Sequence, residues 1–336
     1  MPSFTIHLAV AKRYLENHRY ENEEEFLNGV IAPDLMEKPN SHYGEATSKP
    51  GLDDFILENK LDSSYNRGYL LHLYTDKIFY QQFLDMRGFK KDIYNDYDIL
   101  NKSIVEKYKI DIPSQIKDIV SFKEGVTKLL VENEVFEFIE KVSQVDFTKK
   151  ENWDVLIWDR TKYKKILTER LLLRPLGKTD FHDCCEYFMD RENTKYMMIF
   201  PFDNKEEIKE FLGNVEEEWR NPAPTYYEWA IIYQEKMVGA IGLYFETDDG
   251  VCELGWHLNK AYWNLGIMYE SAVKIIDYCV TSLNCNEFVA HCDSENVASY
   301  ALMEKLGMKF KEKCSGRKNR CSDEEREELT YTLVVM

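Results

Sequence analysis

Apolar residues recur at helical spacing through the first part of the chain, in FLNGVIAPDL, in YNRGYLLHLYTDKIFYQQFL and in VTKLLVENEVFEFIEKV. That spacing predicts an almost wholly helical region over residues 1–145. Pro33, Pro39, Pro50 and Gly51 break its first part into short helices and loops. The charged and polar stretch SQVDFTKKENWDVLIWDRTKYKKIL follows. Residues 146–166 within it read as a join between two domains, and the two tryptophans suggest that this join packs on something. From Leu167 the period changes. LTERLLLRPL reads as a first strand, and FHDCCEYFMDRENTKYMM and NKEEIKEFLGNVEEEWR read as helices. YEWAIIYQ and KMVGAIGLYFE read as two strands joined by a tight turn. CELGWHL is a further strand that leads into a loop and a long helix, and ELTYTLVV is a closing strand. The pattern is an α+β chain, an all-α domain over 1–145 joined to a mixed α/β domain over 167–336.

Length and composition agree with two domains. The chain has 336 residues, of which 44% are hydrophobic, enough for two cores. No stretch is long and apolar enough to span a membrane. The opening residues lack a cationic segment followed by an apolar run and a cleavage site, so a cytoplasmic location is expected. The formal net charge of -17 argues against a nonspecific grip on nucleic acid or anionic lipid. It is compatible with a cationic acceptor such as a polyamine, an aminosugar or a basic peptide, but the simpler reading is solubility. All eight cysteines fall between Cys184 and Cys321 and none forms a CxxC pair, so a zinc ribbon is unsupported and buried, reduced thiols are expected.

The richest run lies between Glu253 and Met308: ELGWHLNKAYWNLGIMYESAVKIIDYC, a short gap, then EFVAHCDSENVASYALMEKLGM. It parses as strand, loop, helix, strand, loop, helix, with Gly266 before the first helix. A helix N-terminus offers unpaired N–H groups and partial positive charge, which suits a phosphorylated ligand. This run, with TERLLLRPL and EWAIIYQEKMVGAIGLY, closely resembles the GNAT superfamily of N-acetyltransferases, and within it the branch of the ribosomal-protein N-terminal acetyltransferases. The resemblance covers residues 167–336 and implies a central, mostly antiparallel sheet. It also implies transfer of acetyl from acetyl-CoA to a primary amine by direct attack. By the same resemblance, Asn264, Leu265, Gly266, Ile267, Met268 and Tyr269 would cradle the CoA pyrophosphate. Trp256, His257 and Leu258 would line the pantetheine arm, and Asn296 would bond the cofactor or cap its helix. Glu253 would be the base and Ser299 the donor to the leaving thiolate. The chain departs from the family loop at Asn264, where Gly is usual, and at Met268, where a small residue is common. Asn tolerates a left-handed backbone, so Asn264 is expected to preserve the turn.

A second constellation lies in the first half: His7, Asp34, His42, His72 and Asp76. His72 and Asp76 are four apart, one turn along a single helix face. Imidazole and carboxylate on adjacent turns can share one zinc or another borderline divalent ion. The surrounding MPSFTIH, FLNGVIAPDL, SHYG and GYLLHLYTDK resemble the zinc-dependent phospholipase C-like helical domains. That resemblance implies those five residues as metal ligands and phosphoester hydrolysis by a metal-bound water. No His occurs between His72 and His182, so the full three-metal set is not expected. Three readings stay open: N-acetyltransferase, metal-dependent phosphoester hydrolase, or a module that only binds its ligands. The acceptor, whether protein N-terminus, aminoglycoside, polyamine or small metabolite, and the oligomeric state are open as well.

Overall fold

The computed structural model describes residues 3–19, 21–36, 40–84, 93–162, 164–245, 251–283 and 285–335. Met1, Pro2 and Pro39 of the motifs above lie outside the described residues. The chain divides into two compact units, Met1–Asp159 and Arg160–Met336. The fold is α+β, a helical first region followed by a mixed, mostly antiparallel sheet with helices.

The first unit carries helices α1 (Phe4–Asn17), α2 (Glu23–Leu35), α3 (Leu52–Glu58), α4 (Ser64–Ile78), α5 (Ile93–Tyr108) and α6 (Glu132–Ser143). Polar side chains start three of them. Ser3 caps α1, Ser63 caps α4, and Asn22 caps α2, which opens on Glu23, Glu24 and Glu25. Pro33 does not break α2 but sits in its last turn. Helices α2 and α4 touch backbone to backbone because each contributes a glycine. A Cβ on Gly29 would lie 2.0 Å from the Tyr65 carbonyl oxygen, and one on Gly68 would lie 2.1 Å from that of Phe26. This approach sets Asp34, at the end of α2, against His72 and Asp76 of α4.

The helix expected over VTKLLVENEVFEFIEKV starts only at Glu132. The buried Asp96 carboxylate accepts the amides of Lys128, Leu129 and Leu130 at 2.7–3.1 Å, which holds that stretch as a turn. The expected join, 146–166, is divided between the units. Phe147, Trp153 and Trp158 are buried in the first, and Ile166 pairs in the sheet of the second.

Among the described residues the second unit carries a sheet of eight strands: β1 (Ile166–Leu167), β2 (Leu171–Pro175), β3 (Tyr226–Tyr233), β4 (Lys236–Phe245), β5 (Val251–Leu258), β6 (Glu287–Asp293), β7 (Lys309–Lys318) and β8 (Glu325–Val334). Their spatial order is β1-β2-β3-β4-β5-β6-β8-β7, and among the described residues only the β5/β6 pair is parallel. LTERLLLRPL is therefore two short strands. The tight turn of β3–β4 uses Gln234 and Glu235 at φ 48° and 64°, the positive values that a two-residue hairpin demands. Helices α7 (Phe181–Phe188), α8 (Lys205–Arg220), α9 (Ile267–Tyr278) and α10 (Val297–Lys305) belong to this unit. α7 is shorter than expected because the Asp190 carboxylate binds the amides of Glu192 and Asn193 and turns the chain.

Candidate active site and buried histidine–aspartate centre

The parallel pair β5/β6 pairs only from Val251↔Glu287 to Glu253↔Val289, whereas β5 stays paired with β4 as far as Leu258. From Leu254 onward the β6-facing edge of β5 is therefore open. A cavity of about 620 Å³ lies beside it. Its walls include Trp256, His257 and Leu258 of β5, Asn264, Gly266 and the first turn of α9, Asn296 with the cavity-facing side of α10, and Tyr196 and Met197.

The α9 end of the cavity is built from backbone. Asn264 and Gly266 have φ 62° and 75°, so two nearby residues are left-handed. α9 starts on Gly266 with no side-chain cap, and Ile267, Met268 and Tyr269 of its first turn face the cavity. Leu265 is expected to contribute its backbone N–H, and its side chain stands away from the cavity. It is exposed, is not part of the cavity wall, and its carbonyl accepts both Arg170 guanidinium nitrogens at 3.1 Å. Arg170 also pairs with Glu270 at 2.7 Å, so Arg170 and Glu270 fasten the loop to the start of α9. Met268 packs into the core at 8% exposure as well as lining the cavity.

Asn296 caps α10, its Oδ1 accepting the Ser299 amide at 3.3 Å. Ser299 is buried on the cavity wall. Glu253 stands where β5 and β6 begin to part, directly across from Tyr244 of β4. His257 is enclosed by the rings of Tyr187, Phe188 and Phe200, and burial lowers its imidazole to about 3, so it is neutral. Three features were missed in the sequence: the Arg170–Glu270 clamp, the Lys305 ammonium 4.2 Å over the Tyr269 ring, and the buried pair Glu228–Tyr244. Each joins residues far apart in the chain, and a single sequence carries no sign of such pairings. The eight cysteines are all free thiols.

In the first unit the five expected residues converge. His72 and Asp76 come from α4, His7 from α1, Asp34 from α2, and His42 from the segment after it. Their side chains are at most 2% exposed. His72 donates Nδ1–H to the Val30 carbonyl at 2.8 Å, and His42 Nδ1 bonds Ser41 Oγ at 2.9 Å. Both rings thereby aim Nε2 at one point, where the two Nε2 atoms lie 3.2 Å apart. Asp76 Oδ2 lies 3.1 and 3.4 Å from the same two nitrogens, and Asp34 Oδ1 lies 3.5 and 3.8 Å from them. His7 is set apart. It stacks on His72 with centroids 3.9 Å apart and approaches the other Asp76 oxygen, Oδ1, at 3.3 Å.

These contacts are close but mostly not in hydrogen-bond geometry, and the carboxylate oxygens of Asp34 and Asp76 have no hydrogen-bond partner among the described residues. Burial alone would raise the Asp76 carboxyl, yet the imidazoles of His72, His42 and His7 hold it well below the usual range. Burial, helped by His72, lowers His7. Burial would lower His42 too, but the two carboxylates raise it. Among the described residues, no helix is long and apolar enough to cross a membrane.

Comparison with known proteins bears on the second unit. The acetyltransferase (GNAT) domain family matches residues 170–309. An uncharacterized N-acetyltransferase, p20 of Bacillus licheniformis, is 30% identical over 142 residues, 42% of this chain and 80% of the relative. A second, YnaD of Bacillus subtilis, is 30% identical over 164 residues, 47% of this chain and 92% of the relative. A solved acetyltransferase of the GNAT family from Bacillus anthracis is 26% identical, covers 51% of this chain and 98% of its own, and superposes with a TM-score of 0.44. The chain therefore belongs, through its second unit, to the GNAT family of acetyltransferases.

Proposed function

We propose that the second unit transfers acetyl from acetyl-CoA to a primary amine, a protein N-terminus or a small amine, by direct attack. The observation that carries this is the open edge of β5 from Leu254 to Leu258, beside a cavity that ends at the uncapped start of α9. The α9 amides and the left-handed loop at Asn264 and Gly266 suit a pyrophosphate. The free edge of β5 suits the amide groups of a pantetheine arm, which need partners once out of water. The thioester then lies where the strands part, near Glu253 and Ser299. The amine nitrogen bonds to the acetyl carbon as the carbon–sulfur bond breaks. Glu253 takes the amine proton, and the Ser299 hydroxyl gives one to the departing sulfur and regains it from solvent.

Acetyl-CoA titrated calorimetrically into the full chain tests the cavity assignment, beside Ala301→Trp. Ala301 is an exposed residue of the cavity wall, so the indole fills the cavity without touching the core. One site per chain, lost in Ala301→Trp, is expected. No binding by the unsubstituted chain would sink the reading.

A second observation supports a metal in the first unit. Ligands bonded at ~2.0–2.1 Å in a tetrahedron stand roughly 3.3 Å apart. The His42–His72 separation, and those from each of these imidazoles to Asp34 and Asp76, at 3.1–3.8 Å, are close to that spacing, and His7 also has a ring nitrogen within 4.8 Å of His72 and Asp76. The donor set, two imidazoles and two carboxylates, suits zinc or a similar divalent ion. His7, on the far oxygen of Asp76, orients that carboxylate. Nearly complete burial of all five side chains favours a structural ion over hydrolysis, which keeps a coordination position open to water. Plasma mass spectrometry on chelator-free protein should find about one equivalent, absent from His72→Ala. An equal content in both proteins, or none after incubation with zinc, would overturn this.

A further inference from the structure

Glu228, near the start of β3, is a buried carboxyl that acetyl transfer as described does not use. Its side chain is 3% exposed. Oε1 accepts the Tyr244 hydroxyl, and Oε2 has no hydrogen-bond partner among the described residues. Two glycines give the pair its room. A Cβ on Gly242, directly opposite Glu228, would lie 2.6 Å from Oε1 and 2.9 Å from the Tyr244 ring. One on Gly255 would press that ring at 3.3 Å. Carboxyl and phenol therefore lie flat across the sheet. Tyr244 stands directly opposite Glu253, the residue that begins the open edge of β5, and directly opposed residues share a face. Burial above all, then the Glu228 carboxylate and to a lesser degree that of Glu253, disfavour ionisation of the Tyr244 hydroxyl.

We infer that Glu228 and Tyr244 are positioning residues for Glu253, with Glu228 deciding which carboxylate receives the single Tyr244 proton. An ionised Glu228 accepts that hydroxyl. A protonated Glu228 donates its own O–H to the phenol oxygen, and the phenol proton turns to Glu253. Glu253 is then stabilised as a carboxylate and becomes a weaker base. This role rests on Glu253 as the base proposed above.

Burial raises Glu228 from 4.5 to about 7, and the Tyr244 hydrogen bond opposes that rise, so the exchange falls in the physiological range. The groups around Glu228 are consistent with this. Tyr226 of its own strand stacks on Tyr244 at 5.7 Å, and Tyr187 of α7 lies within electrostatic reach. From α8 the Trp219 indole donates to the Glu228 backbone carbonyl at 2.9 Å, and Glu217 and Glu218 add negative charge near Tyr226. On the adjoining strand β2, Arg174 is opposite Ala230 and is held by Asp180 at 2.6 Å, so its charge is already paired.

Carbon NMR of the full chain labelled at the glutamate carboxyl carbon tests the coupling without an acceptor, with Glu253→Gln identifying the Glu253 line. In the unsubstituted protein that line should shift twice with pH, once with its own ionisation and again near 7. Glu228→Gln and Tyr244→Phe should each abolish the second shift. A single shift in the unsubstituted protein would overturn the inference, as would a second shift that survives Tyr244→Phe. If Glu228→Gln fails to fold, Tyr244→Phe carries the test, since it keeps the ring and removes only the hydroxyl. Acetyl-CoA calorimetry on the same samples separates the two claims. Failure of the unsubstituted chain to bind would remove the acetyl-transfer role of Glu253, whereas the titration alone judges the coupling.

Discussion

Gly266→Ala probes the loop at the start of α9 with a known cost. Gly266 sits at φ 75°, and an added Cβ there would meet only the Arg170 guanidinium, at 3.6 Å, an ordinary contact. The penalty is therefore backbone strain, ~1–2 kcal/mol for a left-handed residue that carries a Cβ. The loop can respond in two ways. If it holds its shape, the cost appears as lost stability, a fall in Tm of about 2–4 °C per kcal/mol for a unit of this size. If the free loop relaxes, the shape must be restored on binding, and acetyl-CoA affinity falls about 5- to 30-fold. The two losses share one strain, so together they should total about 1–2 kcal/mol. Gly307, at φ 84° with nothing within 4 Å, is the control. Gly307→Ala should lower Tm and leave acetyl-CoA binding unchanged. Calorimetric titration and thermal melts on the three proteins give both quantities. A Gly266→Ala protein that loses neither, or a Gly307→Ala protein that loses affinity, would refute the reasoning.

Glu228 should also shape stability against pH. Below pH 4.5 folded and unfolded chains both carry the proton. Between 4.5 and about 7 only the unfolded chain ionises, so stability falls as pH rises, by roughly 3 kcal/mol once the folded carboxyl has ionised too. Glu228→Gln removes that slope, so denaturant melts at pH 8 should find it more stable than the parent, and equal stability losses in both proteins would contradict this. In the first unit, Asp96→Asn should cost about 2 kcal/mol, because the buried carboxylate accepts the amides of residues 128–130 as charge-assisted hydrogen bonds. An unchanged melt of the helical unit would show that those amides find other partners.

The sequence exposed what is local and periodic. α8, the β3–β4 hairpin and β8 stand out because their apolar spacing repeats over many residues. The five His and Asp positions were legible because each sits in a recognisable motif, but not that they divide into two overlapping triads, His7–His72–Asp76 and Asp34–His42–His72. That division depends on the α2–α4 approach at Gly29 and Gly68, which spacing along the chain does not encode. α6 began late because Asp96, over 30 residues away, captured the amides that would have started the helix. Strand β7 was not foreseen: its residues are mostly exposed and charged, so no apolar alternation marks it. Glu228 read as one more strand residue, since its meaning comes from Tyr244 and the two glycines beside it.

The central claim is that acetyl transfer occurs where β5 and β6 part and that Glu253 takes the amine proton. Intact-mass detection of acetylated product tests it most directly, with acetyl-CoA and a panel of a serine-first peptide, spermidine and an aminoglycoside. Unsubstituted protein and Glu253→Gln are run side by side. Transfer to at least one amine, falling about 100-fold or more in Glu253→Gln while acetyl-CoA affinity holds, is the expected result for loss of a general base. Equal transfer by the two proteins would contradict the account.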